Sequence, residues 1–141
     1  MFAMFTEIRW LAVLVAAVAW FVFGALWYMT PAIARAWQRA GGFDVPEDAR
    51  PNPMVFVNTL VAYAVACVVT DMLAAATAVS SAASGAALGL TVGVGYALTA
   101  AAVSAIYDNK QEPVTWFWIN GVFNVLGLTL VGVILGAFRA T

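Results

Sequence analysis

One acidic side chain, Asp71, interrupts the long apolar segments of this chain. It lies in a segment that runs from Met54 to Ala78, and an ionised carboxylate in hydrocarbon costs at least about 2.5–3.5 kcal/mol. Such a group must be near the interface, paired with a cation, or neutral. Arg9 and Arg139 end neighbouring segments on the same side and could reach it. Two interpretations stay open: a structural ion pair, and a titrating site for proton-coupled transport.

Three asparagines are the other polar side chains placed to act within the apolar segments. At 1.5 Å per residue, Asn58 and Asn120 lie about 6 and 9 Å inside their segments from the same side. Asn124 follows Asn120 by one helical turn. A hydrogen bond between Asn58 and Asn120 would hold two helices together by about 0.6–2 kcal/mol. The alternative is that these amides line a small polar passage.

The residue types argue against an enzyme. The chain has no histidine and one cysteine, and the acids other than Asp71 fall in loops. A nucleophile–base pair, paired carboxylates or a metal site is therefore not expected, and neither is a cofactor. The net charge is −1 and no basic face is present, which excludes nucleic acid as a partner.

The elements that must position these side chains are membrane-spanning helices. The chain is 65% hydrophobic and 9% charged, whereas soluble domains are about 25% charged. We predict an all-α integral membrane bundle, one domain over 1–141, in contact with the lipid bilayer. Its spans are expected at 10–29, 54–78, 85–107 and 114–138. A short amphipathic helix over 31–40 is expected in the interface, and loops or turns over 43–53, 79–84 and 108–113.

Small residues predict where helices approach closely. Gly85, Gly89 and Gly93 form two consecutive G-x-x-x-G steps, and Gly132 and Gly136 form another. The spacing leaves open whether the partner helix is in the same chain or in a second copy. Small side chains also share the face of Asp71, which predicts that this face contacts protein: Ala64, Cys67, Ala74, Ala75 and Ala78.

Aromatic residues near the predicted span ends are expected to anchor at the headgroup level. They are Trp27, Tyr28, Trp37, Trp116 and Trp118. The segments 30–53 and 108–113 hold four of the six basic residues, and Arg9 and Arg139 are on the other side. The positive-inside rule therefore predicts that these two segments are cytoplasmic and that both termini are outside.

Two stretches of the chain resemble a known family. The run FGALWYMTPAIARAW at Phe23–Trp37 and the run WINGVFNVLGLTLVGVILGAF from Trp118 are similar to a bacterial four-helix membrane family, domain of unknown function 1761. The resemblance implies a multi-pass protein of the bacterial inner membrane and brings no activity. Members of that family carry a histidine one turn after the asparagine of span four. This chain has Asn124 there, so the resemblance implies no proton chemistry at this position.

These observations together predict a small non-enzymatic membrane protein. The first hypothesis is a self-associating structural or accessory subunit, present as a homo-oligomer or in a larger membrane complex. The alternative is a small proton-coupled transporter that uses Asp71.

Overall fold

The computed structural model describes residues 2–141, and within that range it is helical and contains no strand. A 3-10 helix over Phe2–Glu7 precedes α1 (Trp10–Met29), α2 (Pro31–Gly41), α3 (Pro53–Ala76), α4 (Ala82–Val92), α5 (Thr99–Tyr107) and α6 (Pro113–Arg139). A π-helical turn, Gly93–Leu98, joins α4 to α5, so that Ala82–Tyr107 is one long helix, here called span three. Four helices are long and apolar enough to cross a membrane, which confirms the predicted fold class.

The spans are arranged around α6. This helix contacts α1, α3 and both halves of span three. Across the described part of the chain, α1 and span three do not pack against each other. The buried side chains of α6, Leu128, Val131 and Leu135, accordingly form the centre of the core. The helix α3 packs against α1 as well as against α6, so the helices form an open arrangement around α6.

Small residues bring α1 close to α6. Ala12 and Ala16 are fully buried on α1, and one turn later Trp20 is also buried. The indole of Trp20 lies over Gly127, where a Cβ atom would overlap the ring. Gly127 therefore leaves the space that the indole of Trp20 occupies. Close packing of this kind holds membrane helices together, because the hydrophobic effect does not drive their association in lipid.

The amphipathic helix α2 begins and ends as the sequence predicts. Pro31 occupies its first turn after Thr30, and Gly42 ends it in the left-handed region with φ 76°. The amide of Gly42 donates to the carbonyls of Gln38 and Arg39. Glycine takes this conformation without the steric penalty that a side chain would bring.

The turn between α3 and α4 is shorter than expected. The segment 79–84 was predicted to be a turn, but α4 already begins at Ala82 because Ser81 and Ser84 form a capping box. The amide of Ser84 donates to Ser81 Oγ, and the amide of Ser81 donates to Ser84 Oγ, both at 3.1 Å. This reciprocal pair satisfies helix-end donors that would otherwise lack partners.

Span three contains a π-helical turn that the sequence does not predict. Within Gly93–Leu98 the backbone accommodates one extra residue, and the hydroxyl of Thr99 donates to the carbonyls of Gly95 and Tyr96. Such insertions change which residues face the neighbouring helix. At the end of the turn, Leu98 lies over Gly121 of α6.

Candidate functional site within the spans

Asp71 forms a buried ion pair at one end of the molecule. Its Oδ1 accepts from Arg139 Nη2 at 2.8 Å and from Arg139 Nε at 3.1 Å. Its Oδ2 accepts from the backbone amide of Arg9 at 2.9 Å. The carboxylate is 0% exposed, and the Arg139 side chain is 10% exposed. The structure therefore contains an ion pair at Asp71, with Arg139 as the cation.

The same ion pair joins three helices. Asp71 lies on α3, Arg139 is the last residue of α6, and Arg9 immediately precedes α1. Arg139 Nη2 also donates to the backbone carbonyl of Asp71 at 3.0 Å. The guanidinium of Arg9 does not reach Asp71 and donates instead to the carbonyl of Phe138. A cation at this position complements the negative end of the α6 dipole.

The small-residue face around Asp71 contacts protein, as predicted, over most of its length. Cys67 and Ala74 are buried, whereas Ala64 and Ala75 are half-buried. Ala78 is exposed because α3 ends at Ala76, two residues before the predicted end of the span. Asp71 is thus enclosed by helix packing and does not line a water-accessible surface.

The asparagines lie far from Asp71 and only two of them interact. Asn120 Oδ1 accepts from the hydroxyl of Tyr28 at 2.7 Å, and Asn124 Nδ2 donates to the carbonyl of Asn120 at 2.8 Å. The predicted bond between Asn58 and Asn120 is not formed, since Asn58 lies on an exposed face of α3. Tyr28 takes its place. The sequence signal for that pairing was the position of Tyr28 near the end of α1, on the same side as Asn120.

Four of the five predicted aromatic anchors are half-buried and pack against other aromatic rings. Trp37 stacks on Trp116 with ring centroids 5.7 Å apart, and Tyr28 lies 5.2 Å from Trp37. Trp27 is half-buried beside Phe123. This cluster fixes α2 against α1 and α6. Trp118 is the exposed member of the set.

The two glycine rows predicted from the sequence face each other within the chain. A Cβ atom at Gly85 would overlap the backbone carbonyl of Gly132, and one at Gly89 would overlap the carbonyl of Leu128. A Cβ atom at Gly93 would come within 3.0 Å of the Cα of Val125, and one at Gly136 would overlap the carbonyl of Ser81. The partner of the first row is therefore α6, and backbone-to-backbone contact excludes larger side chains.

Span three has a second row of small residues that the sequence analysis missed. Ala83, Ala87, Thr91 and Gly95, here called the outer stripe, repeat every four residues and are all exposed. A Cβ atom at Gly95 would meet nothing within 4 Å. Tyr96, next to Gly95, is 76% exposed, and its hydroxyl makes no hydrogen bond among residues 2–141. The four-residue spacing is present in the sequence, but three of its four positions are alanine or threonine, so it does not match a G-x-x-x-G motif.

The polar side chains of the spans do not converge on one cleft. Asp71 and the pair formed by Asn120 and Tyr28 lie in different parts of the molecule, and each is bonded to a neighbouring helix. Within residues 2–141, His, Cys, Asp and Glu side chains form no group of three or more that could hold a metal ion.

Comparison with known proteins gives a family without an activity. A family model described as "Protein of unknown function (DUF1761)" matches residues 11–136, which include nearly all of the four spans. No curated protein and no solved structure matches the chain.

Proposed function

This chain belongs to the family described as protein of unknown function DUF1761, and from its geometry we propose that it is a self-associating structural or accessory membrane protein. The observation that carries the proposal is the outer stripe of span three together with the exposed hydroxyl of Tyr96. Both features fit a second helix better than they fit lipid.

Tyr96 lies near the middle of the membrane. It is fourteen residues after Ala82 and eleven before Tyr107, the two ends of span three. At 1.5 Å per residue those distances are about 21 and 16 Å, and the hydrocarbon core is about 30 Å thick. A phenolic hydroxyl at that depth finds no water, and leaving it without a partner is unfavourable. A neighbouring helix that supplies an acceptor removes this cost.

The outer stripe allows such a helix to come close. Alanine, threonine and glycine at four-residue spacing permit the backbone approach typical of packed membrane helices. Two copies inserted in the same direction can be related by a two-fold axis along the membrane normal, which brings the same face of each copy together. Gly95 and Tyr96 of one copy then lie at the same depth as Gly95 and Tyr96 of the other.

Transport and catalysis have less support. The Asp71 carboxylate is enclosed and both of its oxygens are bonded, which supports a role as a structural anchor. The Asn120 amide is likewise bonded to Tyr28. The end of the molecule that carries α2 and the loop before α6 holds most of the basic residues, and we propose that this end is cytoplasmic. Labelling a cysteine placed at Ser81 with an impermeant thiol reagent would test that orientation, since Ser81 should react from outside.

Energy transfer between labelled copies in proteoliposomes tests the proposal. Wild-type protein should show transfer that falls on dilution with lipid, and Gly95→Ile should weaken association at least about tenfold, equivalent to about 1.4 kcal/mol. Gly95→Ile is well suited because the added side chain has open space in the monomer. Ala62→Ile, on an exposed face of α3, is the matched control and should behave like wild type. Random, density-limited transfer in wild-type protein would refute self-association.

A further inference from the structure

A polar groove of about 400 Å³ opens at the end of the molecule where α2 lies. Arg35 and Arg39 of α2 form one side of it. Gln38 and Gly42 also line it, together with Phe43 and Asp44 in the segment after α2 and Gln111 in the loop before α6. The groove therefore combines two cations, one anion and hydrogen-bonding groups from three parts of the chain.

The two guanidinium groups have donors to spare. Arg35 and Arg39 are one helical turn apart, so they project from the same face of α2. Arg39 Nε donates to Glu112 Oε1 at 2.9 Å, which leaves both terminal amino groups of an exposed side chain for a ligand. Arg35 makes no ion pair within the described residues. Guanidinium groups bind phosphate oxygens in a bidentate geometry, so this side of the groove suits a phosphate.

Asp44 adds a negative charge to the groove, opposite in sign to the charges of the two arginines. Its carboxylate is exposed and makes no ion pair in the range 2–141. Gln38 Oε1 accepts from the backbone amide of Val45 at 3.2 Å, which holds the segment that carries Asp44 against α2. A ligand that is only anionic would be repelled by this carboxylate, whereas a ligand with both a phosphate and an ammonium group would satisfy both sides.

We propose that this groove binds the phosphoethanolamine headgroup of a phospholipid. The phosphate contacts Arg35 and Arg39, and the primary ammonium donates to Asp44. The groove lies beside α2, which follows directly from the end of α1, so it is at the level where a span leaves the hydrocarbon and headgroups begin. A choline headgroup has no N–H to donate to Asp44, and a glycerol headgroup has no cation to place there.

Native mass spectrometry of protein extracted from vesicles with equal amounts of phosphatidylethanolamine and phosphatidylglycerol tests this inference. Wild-type protein should retain phosphatidylethanolamine about three- to fivefold more often, the upper part of the range expected of one exposed charge pair. Asp44→Asn should abolish this preference, and Arg35→Gln should lower the retention of both lipids. Asp48→Asn, an acid of the same segment outside the groove wall, is the control and should keep the wild-type ratio.

The outcomes separate the lipid from its soluble headgroup. Equal retention of the two lipids by wild-type protein, or an unchanged ratio in Asp44→Asn, would overturn the proposal. Calorimetry with soluble glycerophosphoethanolamine should show no binding at concentrations where the lipid is retained. Binding of the soluble compound as tight as that of the lipid would assign the groove to a free phosphoethanolamine compound and would also overturn the lipid assignment.

Discussion

The inner and outer faces of span three both carry small residues at four-residue spacing, but only the inner face is packed within the chain. On the inner face, Gly85 and Gly89 meet the backbone of α6 so closely that a Cβ atom would overlap it. On the outer face, Gly95 has open space and Tyr96 is exposed. The same spacing therefore produces an intrachain contact on one side and an unoccupied helix face on the other.

This difference separates two consequences of helix packing in a membrane. The inner face holds the monomer together, and the end of α6 is held further by the Asp71–Arg139 pair. The outer face is available for association between molecules. Substitutions on the inner side should therefore change folding stability, and substitutions on the outer side should change association alone.

The largest effect is expected for Gly89→Ile. Its side chain would meet the carbonyl of Leu128 and the Cα of Thr129, which are backbone atoms and cannot turn aside. We expect a loss of about 3 kcal/mol in the free energy of unfolding, at the upper end of overpacking effects. Chemical unfolding in mild detergent measures it. Gly95→Ile is a matched control because the substitution is identical and the space is open. Equal losses of unfolding free energy in the two variants would show that the inner and outer faces of span three do not differ in their packing.

Asp71→Asn should have the next largest effect. Removing one partner of a buried ion pair costs about 3–5 kcal/mol, but Arg139 is the last residue of α6 and can turn toward water, so we expect about 1–3 kcal/mol. Glu112→Gln is the comparison, because its partner Arg39 is 64% exposed; exposed pairs contribute at most about 1 kcal/mol.

The same Asp71 variant also tests the transport alternative. Proton flux into proteoliposomes should be absent from wild-type protein and from Asp71→Asn. A variant that kept wild-type stability while it abolished a measurable flux would show that Asp71 acts in transport rather than in packing.

Tyr96→Phe should have the smallest effect. Hydrogen bonds between membrane helices contribute about 0.6 kcal/mol on average, so removing the hydroxyl should weaken association about threefold. Dilution of labelled protein with lipid measures this change. Tyr107→Phe is the control because Tyr107 is also exposed but lies at the end of span three. If both variants associated like wild type, the Tyr96 hydroxyl would have no role in the contact.

Much of the fold could be predicted because the length of an apolar segment and the residues that cap a helix can be recognised in the local sequence. Pro31 and Gly42 define α2 with no need for tertiary information. The π-helical turn at Gly93–Leu98 was not predicted, since it depends on how span three fits against α6. The capping function of Ser81 and Ser84 was present in the sequence as S-x-x-S, but the small residues around it resemble a turn.

The candidate site was predictable only in part. The position of Asp71 near two arginines indicated an ion pair, but only the structure assigns the side-chain partner to Arg139 and the amide to Arg9. The predicted hydrogen bond between Asn58 and Asn120 rested only on their similar distances from the span ends. Those distances do not determine which helix faces contact each other. The aromatic residues were predicted to anchor at the headgroup level because span-end tryptophans are commonly found there, but their position gave no sign that Trp37 and Trp116 stack on each other.

Disulfide cross-linking at Gly95 tests most directly whether the outer stripe is the contact between two copies. Cys67 is the single natural cysteine and is buried, so Cys67→Ala provides a background for Gly95→Cys, with Ala62→Cys as the control on α3. Under oxidation in native membranes, two copies related by a two-fold axis should bring the Gly95 positions together and yield a covalent dimer. We expect Gly95→Cys to form that dimer and Ala62→Cys to remain monomeric. Equal cross-linking of the two variants, or none at Gly95, would contradict association through this face.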